Sequence, residues 1–359
     1  WLHSFINKRI KFIMAYTTIN KSTDYFNTKT FTGNGSSQSI TSLDFKPSLV
    51  WLKNRDSGYS HSWFDLHRGN NARIRSNSAS GQDNPSPSSL TAFNSDGFTV
   101  GGDIGVNANN EGIVGWNWYS ADTMGSANTD GSLNTYATTA NTTAGFSIIS
   151  YTGNGTSGAT VGHGLGVVPK MIIVKALTGS NNWAVYHASI GATKYLRLNA
   201  TDAQATSTAR WNDTAPTSSV FSLGNDGEVN TNGSNYIAYC FAEKTGYSKI
   251  GSYTGNASTD GPMIYTGFKP SWFMFKRTDT ADGWMVMDNK RNPFNVVDKR
   301  VEADSGSAEY TGADWFDFVS NGVKIRNSSG GINASGGTYI YMAFGQSLVG
   351  SNNVPCTAR

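Results

Sequence analysis

Charge is scarce in this chain: Lys, Arg, Asp and Glu make up 15% of its 359 residues, and the net charge is +3. Lys and Arg are scattered singly, so no basic stripe able to neutralise several phosphates is present, and nucleic acid is not an expected partner. Cysteine is scarcer still, with only Cys240 and Cys356. Two cysteines cannot build a disulfide framework, and neither lies in a CxxC pair or at zinc spacing from two histidines. Cys240 reads as a small core residue and Cys356 as part of a polar tail. Long apolar runs are missing as well: no window of about 18 residues is apolar throughout, so no membrane insertion is expected. The opening segment WLHSFINKRIKFI has the charges of a signal-peptide n-region, but polar residues follow where an apolar h-region belongs, so residues 1–13 are read as upstream translation before a start at Met14.

The usual signatures of chemistry are also thin. The five histidines, His3, His61, His67, His163 and His187, form no HxxxH or HExxH pair, and His163 in VGHGLG has the composition of an exposed turn. No GxSxG elbow occurs. The glycine-rich stretch SYTGNGTSGATVGHGLG lacks GK[ST] and runs into a proline and an apolar strand, whereas a phosphate-binding loop must open a helix whose free N–H groups bind the anion. It is therefore a turn. NTDGS at Asn128 and STDGP at Ser258 resemble the start of a calcium loop without its twelfth-position glutamate, and are read as turns too. No catalytic residue, metal or cofactor is expected.

What the chain has in quantity is glycine, 40 residues, with much Ser, Thr and Asn. This is poor helix material and suits short strands joined by tight turns, which indicates an all-β class. Self-similarity supplies the organisation. TGN recurs with its glycine at Gly33, Gly153 and Gly255, and 14, 16 and 15 residues later a proline opens the runs FKPSLVWLKNRD, VVPKMIIVKALT and FKPSWFMFKRTD. A tryptophan follows each proline, at Trp63, Trp183 and Trp284, and a last apolar run closes each copy at Trp118, Phe241 and Phe344. Three tandem modules follow, residues 27–120, 146–244 and 248–346. They are flanked by an extension over 1–26 and a polar tail over 347–359, with a Ser/Thr/Asn-rich stretch over 121–145 that is either a linker or an edge strand of module 2.

Each proline-led run reads as a strand buried on both faces, hairpin-linked to an alternating strand such as WAVYHASI. Further strands are expected at GFTVGG and SVFSLG, with positive-φ turns at the Asp-Gly or Asn-Gly steps of Asp96, Asp226, Asp282 and Asn321. The fold expected is three β-sandwich modules of jelly-roll or lectin-like type, each about 90–100 residues long, with Trp63, Trp183 and Trp284 inside their own modules. Aromatic residues in loops are the candidate binding groups, because an exposed ring can stack on a sugar face. Tyr59 and His61 in the first hairpin loop and Trp211 in STARWNDTAPTSS are selected on this basis.

The segments TTAGFSIISYTGNG, VGHGLGVVPKMIIVKA, WNDTAPTSSVFSLG and YIAYCFAEKTGYSKIGSYTGN resemble a family of repeat-built virion proteins of tailed bacteriophages, especially those of marine bacteria, described as tail-fibre-like or of unknown function. The resemblance covers Met14 to Gln346 and carries no catalytic role. It implies a virion protein assembled in the host cytoplasm, with other virion proteins and host-surface glycan as partners and homo-oligomerisation as the expected state. The functional expectation is a tail fibre or surface appendage. Its alternatives are a capsid decoration or tail adaptor and, further off, a polysaccharide depolymerase.

Overall fold

The computed structural model describes residues 16–83 and 88–350; the segment over residues 1–13, the start expected at Met14 and Cys356 lie outside the described residues. The chain is all-β and sandwich-like, built from antiparallel sheets. Each proline-led run forms an inner strand: Leu49–Asn54, Met171–Ala176 and Lys269–Arg277. Each pairs on one side with the closing run, Gly112–Trp118, Asn235–Phe241 or Thr338–Gln346. On the other side it pairs with the hairpin strand, Ser62–Asp65, Ala184–His187 or Trp284–Asp288. The strand that runs into TGN, Phe26–Thr32, Phe146–Thr152 or Ser248–Thr254, flanks the closing run. In module 2 the strand Ala137–Asn141 adds an edge beside Phe146–Thr152, and Leu133 bridges Val161, so part of the 121–145 stretch is sheet.

The unbroken apolar runs have a two-sided explanation. In the inner strands Leu49 and Trp51, Met171 and Ile173, and Trp272 and Met274 all point into one cluster shared by the three modules. Their neighbours Val50 and Leu52, Ile172 and Val174, and Phe273 and Phe275 point the other way, into a separate core for each module. That outer core is closed by a small sheet containing GFTV, VFSL or FDFV: Gly97–Val100 with Gln38–Thr41 and Leu90–Asn94, Val220–Leu223 with Ala159–Gly162, and Phe316–Val319 with Gly322–Ile325 and Met263–Tyr265. Strand alternation therefore divides each run between two cores.

The three main sheets surround their common core with approximate threefold symmetry. At its centre the closing aromatics Trp118, Phe241 and Phe344 form a triangle with ring centroids 6.3, 5.9 and 6.2 Å apart. Trp63, Trp183 and Trp284 are 0–1% exposed, but they face this shared core rather than the interior of their own modules, which corrects the expectation of self-contained sandwiches. Trp183 Nε1 donates to Arg75 O of module 1 at 2.9 Å, and Trp284 Nε1 donates to Arg197 O of module 2 at 2.8 Å.

The same cyclic interlock is repeated by the lysine one residue before the end of each inner strand. Lys53, Lys175 and Lys276 are fully buried. Their ammonium groups donate to Gly306 O of module 3 at 3.1 Å, Ala79 O of module 1 at 2.8 Å and Thr201 O of module 2 at 2.9 Å. Each also holds a carbonyl of its own hairpin loop: Tyr59 O, Asn181 O or Asp282 O. Burial lowers all three side chains to about 8. In the opposite rotational sense, the residue ending each hairpin strand reaches the following module. Asp65 accepts from Tyr239 Oη at 2.7 Å, Asp288 accepts from Trp116 Nε1 at 3.0 Å, and His187 Nε2 faces Tyr341 O at 3.3 Å. The two aspartates are themselves buried against Arg68 and Arg291, each at 2.6 Å.

The TGN tripeptide is structural in all three copies. A Cβ at Gly33, Gly153 or Gly255 would overlap the carbonyl oxygen of Ala108, Thr231 or Ala334, so only glycine lets the two backbone segments touch. The next residue donates its backbone N–H to a fully buried asparagine: Asn34 to Asn107 at 3.1 Å, Asn154 to Asn230 at 2.9 Å and Asn256 to Asn333 at 2.7 Å. Of the four Asp-Gly or Asn-Gly steps, only Gly97 has a positive φ, of 143°. Asn321 does lie at the tip of a two-residue hairpin, while the steps at Asp226 and Asp282 turn without left-handed backbone. Cys240 is fully buried, and burial raises its thiol pKa.

Candidate functional site

The three residues selected from the sequence do not come together. His61 and Tyr59 lie where module 1 meets module 3, whereas Trp211 belongs to the outer core of module 2. His61 is fully buried. Its Nδ1 accepts from Trp51 Nε1 at 2.7 Å, and its Nε2–H donates to Glu302 O at 2.9 Å. Desolvation, followed by the nearby Lys53 charge, lowers its pKa to about 3, so the ring is a neutral structural bridge. The expectation of an exposed histidine is corrected, and extending the alternation of Trp63 and Asp65 back by one more pair would have placed His61 on the inward face. His163 is corrected in the same way: it is fully buried, its Nδ1 accepting from Leu165 N and its Nε2 facing Thr217 O, both at 3.2 Å.

Trp211 ends a single helical turn, Thr208–Trp211, capped by the Ser207 side chain, which accepts from Ala209 N. The turn swings the indole inward, where it is 2% exposed and meets Tyr186 edge-on with centroids 6.0 Å apart. The neighbouring Arg210 is tied to Glu228 at 2.9 Å and to Asp226, and lies over the Tyr195 ring at 4.5 Å. The sequence signal was the Ser N-cap followed by Thr-Ala-Arg, which marks a helix start inside an otherwise loop-like stretch. Trp211→Ala is accordingly expected to destabilise the protein by about 3–5 kcal/mol through the cavity it leaves. A denaturant midpoint unchanged from the parent protein would contradict this placement. Tyr59 alone of the three is partly exposed, and its carbonyl is one of the acceptors around Lys53.

The surface does offer grooves, and two of them lie on the seams between modules. Where modules 1 and 2 meet, a groove of about 300 Å³ is lined by His67, Arg68, Gln82, Leu177 and Asn235, with the Tyr136 ring, 74% exposed, on its lip. Its ionisable groups are committed to the fold. His67 sits 2.5 Å from Ser150 Oγ and 2.7 Å from Thr139 Oγ1, and burial lowers its pKa. Arg68 is held by Asp65 at 2.6 Å, by Ala72 O at 2.7 Å and by Trp63 O at 3.1 Å. Such a groove has one free aromatic face and neutral hydrogen-bonding groups, which suits stacking and polar contact. A second and larger groove, about 510 Å³, lies between modules 1 and 3. Among the described residues no cluster of three or more His, Cys, Asp or Glu could hold a metal ion, and no helix is long and apolar enough to cross a membrane.

No curated protein matches the chain. Residues 21–347, which take in all three modules and the stretch between the first two, match the domain of unknown function DUF7483, and the chain belongs to that family.

Proposed function

We propose that this protein is a non-catalytic surface component of a tailed-phage particle, a fibre or tail appendage whose seams hold host-surface glycan. The observation that carries the reading is a heavily cross-braced interior with two grooves of mixed polar and apolar lining along its seams. Buried lysines, indoles and aspartates from each module grip its neighbours, so the grooves are formed by parts that cannot slide apart. A rigid groove loses little entropy on binding, which is how shallow, weak saccharide sites become usable and then gain from multivalency. The resemblance of TTAGFSIISYTGNG and its companion segments to virion proteins supplies the particle context.

A capsid decoration or tail adaptor is the second reading, favoured by the approximate threefold symmetry, which suits a place on a symmetric particle. One experiment separates them: the purified chain is added to host cells in competition with extracted surface glycan, beside mass-spectrometric detection of the chain in purified particles. Particle location with competed binding supports the appendage. Particle location without cell binding supports the adaptor. Release of reducing ends from host capsule would overturn both in favour of a depolymerase.

A further inference from the structure

The groove between modules 1 and 3 has a chemical character that the groove between modules 1 and 2 lacks. Its lining contains no aspartate or glutamate but includes three lysines, Lys21, Lys269 and Lys290. Lys21 is neutralised by Asp24 at 3.3 Å and Asp44 at 2.9 Å. Lys269 and Lys290 form no ion pair with any described residue, so this groove gathers two cations without a counter-charge in its lining. The acids nearest in sequence are not available to them: Asp288 is buried against Arg291, and Arg291 is also bound to Glu309 at 2.9 Å.

Two residues lining the same groove carry polar atoms that have no partner. Thr28 is only 3% exposed and its Oγ1 makes no hydrogen bond, and Asn289 Oδ1 is likewise buried and unpaired. Both residues line the groove. An unsatisfied buried polar atom is unfavourable relative to a satisfied one, so a ligand that reached these two would gain by pairing them. The hydroxyl of Ser271 and the amide of Gln346 add neutral donors and acceptors, and the edge of Phe26 supplies an apolar patch.

We infer that this groove binds an acidic saccharide unit, its carboxylate at Lys269 and Lys290 and its ring hydroxyls at Thr28 and Asn289. The volume of about 510 Å³ falls within the usual range for small-ligand sites. Two unpaired ammonium groups select an anion, and the neutral amides and hydroxyls below them match vicinal hydroxyls, which a bare inorganic anion does not have. The choice of a saccharide rests on the glycan-binding reading above, whereas the preference for an anion follows from the groove alone.

The test uses the full chain and free sugars, independently of any particle. Glucuronic acid, glucose and inorganic phosphate are titrated in parallel by protein-observed NMR or calorimetry. Glucuronic acid is expected to bind about tenfold more tightly than glucose, an advantage that disappears in the Lys269→Ala/Lys290→Ala double variant. Thr28→Val is expected to weaken glucuronic acid several-fold without lowering the melting temperature, because it also removes an unsatisfied buried hydroxyl. Absence of glucuronic acid binding, equal affinity for glucose, or indifference of the binding to both sets of substitutions overturns the site. Phosphate binding more tightly than glucuronic acid overturns the saccharide assignment. Failure to find the chain on particles would leave all of these outcomes unaffected, and would count against the particle reading only.

Discussion

Trp118→Ala is expected to lower the stability of the whole chain by about 3–5 kcal/mol and to do so in a single cooperative transition, not in one module alone. Trp118 is 1% exposed and touches all three modules: Trp51 of its own at a centroid distance of 6.5 Å, Trp272 at 5.7 Å and Phe344 at 5.9 Å in module 3, and Phe241 of module 2 at 6.3 Å, with Phe26 of the adjoining strand at 4.9 Å. Its indole N–H has no partner, so the loss is one of packing, and phenylalanine at this position should recover much of it. In a linear repeat each unit contacts only its neighbours and stability is nearly a sum of local terms. Here the three sheets close on one another, and the faces carrying Ile148, Met171, Ile173, Trp183 and Tyr239 of module 2 have no cover without modules 1 and 3. Residues 146–244 produced alone should therefore lack a cooperative unfolding transition. Two or three separate calorimetric transitions in the parent protein, or a cooperatively folded module 2 fragment, would show that the central core does not join the modules.

Mild acid should weaken the protein, and histidine geometry sets the direction. His61, His163 and His187 share one arrangement: Nδ1 accepts a hydrogen bond from Trp51 Nε1, Leu165 N or Ser189 N, and Nε2–H points at the carbonyl of Glu302, Thr217 or Tyr341. A second proton on Nδ1 would set N–H against N–H. Burial lowers the pKa of His61 to about 3 and that of His187 to about 4, and lowers that of His163 and His67 as well. Between pH 6.5 and these folded values the unfolded chain binds more protons than the native one, so stability is fully present above pH 6.5 and is lost as pH falls. His61 and His187 account for about 2 kcal/mol each at pH 5.

Asp304 acts in the opposite sense. Burial raises it to about 6, so native protein holds its proton more tightly than unfolded chain between roughly pH 3.8 and 6, which returns about 1 kcal/mol at pH 5. The net expectation is a loss of about 3 kcal/mol between pH 7.5 and pH 5, measured by denaturant unfolding at each pH. His187→Asn, which keeps one acceptor and one donor but does not titrate, should remove about two-thirds of the net pH dependence whatever its effect on stability at neutral pH. An unfolding free energy that stays level over this range would contradict the tautomers assigned here.

Much of the architecture could be read directly from the chain. The TGN, proline, tryptophan and closing-aromatic anchors mark three equivalent modules because each does a job that tolerates few alternatives. The glycine lets two backbones touch, the apolar run fills two cores at once, and the last aromatic meets its two counterparts at the centre. The lysine near the end of each run was visible too, but one of its carbonyl partners lies in a different module and could not be located by spacing. The buried Asn107, Asn230 and Asn333 follow TGN by more than 70 residues and sit in short segments, GVN, EVN and GIN, too brief to stand out. The candidate binding residues were less legible. A loop-like composition around Trp211 concealed one helical turn, and a single turn is enough to carry an indole from solvent into a core.

By itself the sequence determined the class, the repeat and the strands, because alternation, turn chemistry and helix propensity act over a few residues and leave their pattern in local composition. Only the tertiary structure decided what covers the second face of each main sheet, and hence that Trp63, Trp183 and Trp284 lie between modules, that His61 and Trp211 are structural, and that two grooves open along the seams. The reason is physical. An apolar strand face has the same composition whether it is buried by its own module or by a neighbour, since hydrophobic burial is non-directional and records only that water is excluded.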